Sequence, residues 1–204
     1  MKLPAVLLFL ASFASAPAEV IYSGLRNISI PDTVEGVTLD VDAGAIVAEA
    51  AAGWDINIFL GGFGIAGSAA FQPARTGTEN QDPVRRFDAD ILIVPMLLYS
   101  AGETGSIDHL GAAGNFQEGQ PGYLGFRFTK NGGGDPLYGW MRVTLTANST
   151  TGVIHDWAWE NSGGGIPTGQ VPEPSSRLSL LAAGLGILLQ RRGRPHRPGC
   201  GDPA

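Results

Sequence analysis

Residues 123–160 read YLGFRFTKNGGGDPLYGWMRVTLTANSTTGVIHDWAWE. Apolar and polar side chains alternate in three runs of this stretch, at residues 123–129, 138–146 and 153–160. Such alternation is the pattern of half-buried β-strands. Two segments rich in glycine, asparagine, serine and threonine separate the runs and favour tight turns. The stretch therefore predicts three consecutive antiparallel strands joined by short connections.

The alternation also predicts which side chains share a face, because successive residues of a strand point to opposite sides. In the second run, one face is expected to carry Met141, Val143 and Leu145. The opposite face of that run is expected to carry Tyr138, Trp140, Arg142 and Thr144. In the third run, one face is expected to carry Val153, His155, Trp157 and Trp159.

The chain upstream of these runs contains six more candidate strands, at residues 20–22, 27–30, 36–41, 54–60, 63–71 and 91–99. Thirty glycines and fourteen prolines in the 204 residues place turns between short runs. We therefore expect an all-β chain, with a single jelly-roll-like β-sandwich domain over residues 19–170. The segments 72–90 and 100–122 are expected to be long loops, which is where binding sites concentrate.

The beginning of the chain has the form of a signal peptide over residues 1–18. Lys2 supplies a positive charge, residues 3–14 form an apolar core, and Ala16 and Ala18 each end a small-residue cleavage pattern. We expect cleavage after Ala18, because cleavage after Ala16 would leave a proline at the new N-terminus.

The end of the chain has a three-part pattern. Its parts are the motif Val171-Pro172-Glu173-Pro174, the apolar run 178–189 and the basic pair Arg191-Arg192. The apolar run is shorter than the roughly 20 residues of a comfortable membrane span, so we expect a transient sorting segment in the inner membrane. The basic stop is expected to stay on the cytoplasmic side. Residues 193–204 form a further basic and polar tail.

The C-terminal pattern resembles the PEP-CTERM sorting domain of Gram-negative bacteria over residues 171–192. Segments of the β-domain, such as residues 122–128, 138–143 and 155–160, look like segments that recur in uncharacterised PEP-CTERM surface proteins. Proteins with this tail are substrates of exosortase, a membrane-embedded transpeptidase-like protease, and typically belong to cells that produce exopolysaccharide and form biofilms. Two features depart from the usual pattern: Arg177 precedes the apolar run, and the chain continues past Arg192.

The resemblance implies export across the inner membrane, C-terminal processing by exosortase, and delivery to the cell surface or the extracellular matrix. It implies no known activity for the β-domain. The charge of that domain agrees with export rather than nucleic-acid binding, because residues 19–171 contain 7 Lys and Arg against 17 Asp and Glu. The single cysteine, Cys200, lies in the tail, so the β-domain is expected to contain no disulfide.

Catalytic motifs are not found in the sequence. His109 and His155, the histidines of the expected mature domain, form no H-x-x-x-H pattern, and no serine lies in a G-x-S-x-G motif. Carboxylates such as Asp156 and Glu160 alternate along one strand, but the sequence does not place any pair across a cleft. We therefore predict no catalytic residue and no cofactor.

A bound calcium ion is the alternative to the prediction that the chain binds no metal. The segments Asp40-Val41-Asp42 and Asp55-Ile56-Asn57 place oxygen ligands at alternate positions, followed by Gly44 in the first case. They lack the complete twelve-residue calcium loop with its distal glutamate. A structural calcium site is therefore a secondary expectation.

Two aromatic and two basic side chains are candidates for an outward sheet face: Tyr123, Arg127, Trp140 and Arg142. Exposed aromatic rings beside guanidinium groups can stack on sugars or partner proteins. The alternative is that this face packs under a loop or a second sheet. The leading functional hypothesis is a non-enzymatic surface or matrix protein associated with exopolysaccharide and biofilm. The alternatives are a carbohydrate-binding module at the envelope and a glycan-active hydrolase or lyase.

Overall fold

A computed structural model describes residues 18–48, 51–102, 110–111, 115–147 and 150–172. The described residues form short β-strands with almost no helix, which confirms the all-β prediction. None of the helices in this part of the chain is long and apolar enough to cross a membrane. The predicted signal peptide up to Pro17, with Ala16, lies outside the described residues, and so do Glu173, Pro174, Arg191 and Arg192.

The strands are short and follow one another in this order: β1 (Val20–Tyr22), β2 (Ile28–Ile30), β3 (Val37–Asp40), β4 (Ala45–Val47), β5 (Ile56–Phe59), β6 (Gly64–Gly67), β7 (Phe71–Pro73), β8 (Arg86–Phe87), β9 (Leu92–Ile93), β10 (Pro121–Phe128), β11 (Leu137–Thr144), β12 (Gly152–Glu160) and β13 (Ile166–Pro167). They form a seven-stranded sheet, a four-stranded sheet in the order β4-β3-β5-β6, and the pair β13-β9.

The three longest strands, β10, β11 and β12, form the antiparallel meander that the sequence predicts. Gly125 lies opposite Trp140, and Met141 lies opposite Trp157. Two short strands, β1 and β2, pair with the outer edge of β12, while β7 and β8 pair with the outer edge of β10. The meander is therefore the centre of the seven-stranded sheet.

A β-bulge in β12 changes the side-chain pattern that strict alternation predicts. Arg142 lies opposite Asp156, whereas Val143 lies opposite Ile154, so His155 is the extra residue of β12. A bulge shifts every later side chain to the other face of the strand. The prediction that Trp157 shares a face with His155 is therefore wrong.

The main apolar core takes side chains from both large sheets. The four-stranded sheet contributes the buried residues Val37, Leu39, Ile56, Ile58 and Ile65, and Val41 follows directly after β3. The seven-stranded sheet contributes, among others, Leu124, Phe126, Phe128, Met141, Val143, Ile154, Trp157 and Trp159. The indole nitrogen of Trp157 donates a hydrogen bond to the carbonyl oxygen of Val41 (3.1 Å), which links the meander to the segment after β3.

The opposite face of the meander is also covered, by a second apolar core. It consists of Ala74, Phe87, Ile93, Tyr138, Trp140, Ala158 and Ile166. Ile93 and Ile166 belong to the paired strands β9 and β13. Gly125 permits this layer to lie close to the sheet, because a Cβ there would be 2.8 Å from Cδ1 of Ile93.

The remaining strand predictions are confirmed in position but differ in extent. Residues 63–71 contain β6 and only the first residue of β7, and residues 91–99 contain only the two-residue strand β9. Pro95 follows β9 closely, and proline interrupts a strand because it has no N–H to donate. The expected loop at residues 72–90 contains β8, which the sequence did not predict; β4 and β13 were not predicted either.

Gly139 provides a test of the packing in the meander. A Cβ at this position would overlap the ring of Phe126 and lie 2.6 Å from the carbonyl oxygen of Ala158. We expect Gly139→Ala to lower the free energy of unfolding by about 1–3 kcal/mol through overpacking, as measured by urea denaturation. Gly133→Ala is the control, since no atom lies within 4 Å of its added Cβ, and should change stability by less than about 0.5 kcal/mol. Equal midpoints for the two variants would contradict this packing.

Candidate functional site

The structure separates the four residues that were predicted to form an outward aromatic and basic face. Trp140 is 1% exposed and belongs to the second apolar core, so it is not available to stack on a sugar. Its ring meets the half-buried ring of Tyr123 edge-on, with 5.4 Å between centroids. The prediction of an exposed face is therefore wrong for Trp140. The alternative, in which this face packs beneath other segments, holds for this residue.

Arg127 lies at the other end of β10 and has its own partners. Its Nε donates to Oε1 of Gln72 (2.7 Å) on the neighbouring strand β7. Its guanidinium carbon is 5.0 Å from the centre of the Tyr99 ring, within the range of a cation–π contact. Burial raises the pKa of Tyr99 above its ordinary value. Arg127 thus connects the seven-stranded sheet to the segment that contains Tyr99.

Tyr123 and Arg142 remain together and line a surface cavity of about 190 Å³. Arg86, from β8, and Asp88 also line this cavity, and their side chains form a salt bridge of 2.8 Å. Pro121 and Gly122 provide a backbone edge. The cavity therefore combines an aromatic side, two guanidinium groups and a carboxylate, which are groups that can donate and accept hydrogen bonds to sugar hydroxyls.

Behind this cavity, Arg142 is held by Asp156. Its Nε and Nη2 donate to the two carboxylate oxygens of Asp156 at 2.9 and 2.6 Å, and the hydroxyl of Tyr22 donates to Oδ2 at 2.9 Å. Asp156 is 3% exposed, so its charge depends on these donors. The hydrogen bond to Asp156 raises the pKa of Arg142, and burial together with the same carboxylate raises the pKa of Tyr22.

His155, the extra residue of the bulge, has a hydrogen-bond partner on each ring nitrogen. Nδ1 lies 3.2 Å from Oδ1 of Asn27, and Nε2 lies 2.9 Å from Oγ1 of Thr144. An amide oxygen can only accept, so Nδ1 carries the proton and Nε2 accepts from the threonine hydroxyl in the neutral ring. Burial, and then the charge of Arg142, lowers the pKa of His155. His155 is therefore a hydrogen-bonded boundary residue in this fold, and His109 lies outside the described residues.

The two acidic segments that the sequence singled out for calcium meet in space. One oxygen each from Asp40, Asp42 and Asp55 lie within 4.8 Å of one another. Asp40 ends β3, Asp42 lies in the turn that follows, and Asp55 directly precedes β5. Because β3 and β5 pair antiparallel, the end of one strand lies beside the start of the other. Sequence spacing identified each segment but could not show that they converge.

Asp55 is the buried member of this acidic cluster. It is 4% exposed, and its Oδ2 accepts the backbone N–H of Val41 at 2.7 Å. Burial raises the pKa of Asp55 to about 7, because the charged form loses hydration there. Burial and the neighbouring Asp40 also raise the pKa of Asp42. Each of these three carboxyl groups disfavours the ionisation of the others, and a bound cation would stabilise their charged forms.

Comparisons with protein-family models, with curated proteins and with solved structures found no match. Arguments about function therefore rest on the residues of this chain. Sequence reasoning missed Arg86 because it lies in an expected loop, and it missed Tyr22 because that residue is 134 positions from Asp156. The adjacent Arg85 and the nearby Asp88 were the local signals for the first, and none existed for the second.

The dependence of Asp156 on Arg142 leads to a testable prediction. We expect Arg142→Met to lower the free energy of unfolding by about 2–3 kcal/mol, because a buried carboxylate loses its charged partner. Arg86→Met is the matched control, since Arg86 and Asp88 are 27% and 74% exposed and such a pair contributes less than about 1 kcal/mol. Urea denaturation measures both changes. A loss for Arg142→Met no larger than that of the control would contradict the role given to Arg142.

Proposed function

We propose that this chain is an exported, exosortase-processed protein of the cell surface or extracellular matrix, and that its β-domain is non-enzymatic. The order of its parts carries this proposal. An export signal comes first, an acidic β-domain follows, and the motif at residues 171–174 comes next, ahead of an apolar run and an arginine pair. Association with exopolysaccharide and biofilm follows from the PEP-CTERM resemblance of residues 171–192.

The end of the β-domain supports this proposal. The last strand, β13, ends at Pro167, and the first compact unit of the chain ends at Val171. Gln170, Val171 and Pro172 are exposed, with Val171 at 44%. A processing enzyme must reach the chain at the sorting motif, and an exposed segment with no strand partner is suited to that.

The architecture that we propose for residues 19–170 is a jelly-roll-like β-sandwich. It is supported by the main core, to which the four-stranded and seven-stranded sheets both contribute buried side chains. A core shared by two antiparallel sheets is the usual basis of a sandwich. Sandwiches of this kind often serve as binding or structural modules on cell surfaces.

A non-enzymatic role is supported by the partners of the polar groups on the outer side of the meander. His155 is hydrogen-bonded through both ring nitrogens, and Asp156 is paired with Arg142 and Tyr22. These hydrogen bonds connect β12 to β1, β11 and the segment before β2, which gives both side chains a structural role.

The sorting proposal is tested by following the C-terminus in cells that contain exosortase. We expect intact-mass analysis of the wild-type protein to show loss of the C-terminal segment. Glu173→Ala, or deletion of residues 171–174, should leave the full-length C-terminus, because the recognition motif is removed. Asp202→Ala, which lies past the arginine pair, is the control and should be processed like the wild type. An unprocessed wild-type tail would refute the proposal.

A second candidate function is glycan binding, and the cavity lined by Tyr123, Arg142 and Arg86 favours it. In this cavity Tyr123 supplies an aromatic ring, whereas Trp140, the other aromatic candidate, is buried. Only sugars presented at a shallow surface, such as those of a polysaccharide chain, would reach this cavity. Such a function agrees with delivery to a matrix that contains exopolysaccharide.

Retention on immobilised exopolysaccharide from the producing cells tests this second candidate. We expect Tyr123→Ala to reduce retention at least tenfold and Arg86→Ala to reduce it severalfold, since each removes a wall of the cavity. Arg26→Ala is the control, because Arg26 is exposed and does not line the cavity. Unfolding midpoints of all variants show whether the domain is intact. Equal retention of folded Tyr123→Ala and wild type would exclude binding at this cavity.

A further inference from the structure

The cluster of Asp40, Asp42 and Asp55 contains charges that the described part of the chain does not balance by ion pairing. The salt bridges among described residues join Arg86 to Asp88 and Arg142 to Asp156, at other places in the fold. Lys130 is near enough to lower the pKa of Asp42, but its ammonium group lies over the ring of Trp159, 4.3 Å from the centroid. Carboxylates this close repel one another in their charged form, and either a proton or a bound cation relieves that repulsion.

A second observation is independent of the carboxylates: a buried amide oxygen on the same sheet face has no partner. Asn57 is 7% exposed, and its Oδ1 is shielded from solvent without a hydrogen bond. Its Nδ2 donates to Oγ1 of Thr38 (2.7 Å) and to the carbonyl oxygen of Glu35 (2.9 Å). A buried acceptor without a donor lowers the stability of the fold, so a partner for this oxygen is expected.

The direction of the Asn57 amide follows from these two contacts. Thr38 lies directly opposite Asn57, and Glu35 lies further along the chain in the direction away from Asp55. The amide oxygen is on the other side of the same carbon, so it is turned away from Thr38 and Glu35. Asn57 and Asp55 are two residues apart in an extended segment and therefore share a face. Their Cα atoms are then about 7 Å apart. One cation can bridge this distance by binding an oxygen from each side chain.

Ser68 contributes a further oxygen without a partner. Its backbone N–H donates to the carbonyl oxygen of Asp55 (2.8 Å), which places the two residues side by side, one directly after β6 and the other directly before β5. Its Oγ is shielded from solvent and has no hydrogen bond. Ser68 and Asp40 both line a cavity of about 590 Å³ beside the cluster, together with Gly53 and Trp54. The cavity therefore gives an ion and its waters access to the cluster at Asp40.

We propose that Asp40, Asp42 and Asp55 bind a divalent cation of the calcium type, with Oδ1 of Asn57 and Oγ of Ser68 as neutral oxygen donors. The donor set consists of oxygens alone, which selects a hard cation over zinc or copper. Mixed carboxylate, amide and hydroxyl ligands on two strands and a turn suit the adaptable coordination of calcium better than the strict octahedron of magnesium.

The position of the site gives the bound ion a structural role. It joins the turn after β3 to the segment that starts β5, and the main core lies on the other face of these strands. An ion that binds the folded chain and not the unfolded chain stabilises the fold by mass action. This inference does not depend on the proposed sorting route, since it concerns the β-domain alone.

Terbium provides a direct probe, because Trp54 lines the cavity and can transfer excitation energy to a bound lanthanide. We expect the full-length wild-type protein to sensitise Tb³⁺ emission on excitation of tryptophan, and CaCl₂ to displace the signal at a lower concentration than MgCl₂. Titration calorimetry with CaCl₂ should show one ion per chain, and the melting temperature should be higher in CaCl₂ than in EDTA. No sensitised emission, or emission that CaCl₂ does not displace, would overturn the proposal.

Two substitutions distinguish this site from unspecific binding to an acidic surface. Asp42→Asn removes a half-buried ligand and should weaken calcium affinity at least tenfold, while Asp32→Asn, at an exposed carboxylate outside the cluster, should leave it unchanged. Asn57→Ala should weaken calcium affinity severalfold although it removes no charge. If Asp42→Asn does not fold, Asn57→Ala decides the question with the same control. Affinity that is equal in Asn57→Ala, Asp32→Asn and the wild type would overturn the proposed ligand set.

Discussion

The bulge at His155 and Asp156 determines what each face of strand β12 presents. One extra residue brings Trp157 to the same side as Ile154, so that both belong to the main core. From there the indole of Trp157 reaches the carbonyl oxygen of Val41 and joins the two large sheets. The same shift leaves His155 and Asp156 together on the outer side, where they bind Thr144 and Arg142. The core contact and the polar network thus share one cause.

A sheet covered on both faces explains why Trp140 and Tyr138 are buried rather than exposed on a sheet surface. Alternation correctly separates Trp140 from Met141, because successive side chains point to opposite sides. It does not show what covers each side. The short strands β9 and β13 bring Ile93 and Ile166 over Trp140, and Gly125 leaves the room for that approach. The end of the face at Tyr123 and Arg142 borders a surface cavity.

The two candidate sites lie on separate sheets and use different chemistry. The cavity at Tyr123 presents an aromatic ring and charged pairs that are already balanced, which suits weak, repeated contacts with a polymer. The acidic cluster presents unbalanced carboxylates and unpaired oxygens, which suits an ion. Neither requires a reacting group, and both agree with the proposed delivery of the domain to a matrix of polysaccharide and extracellular cations. The charge of the domain, with 17 acidic and 7 basic residues at 19–171, agrees with both.

The sequence by itself determined the all-β class and the order of the meander, because alternation and turn residues act between neighbours in the chain. It also determined the two acidic segments at Asp40 and Asp55, as separate patterns. Only the tertiary structure decided that these segments converge, that Trp140 is covered, and that His155 is an extra residue of its strand. Each of these depends on pairing or packing between segments distant in sequence, and local preference carries no information about which distant strand becomes the neighbour.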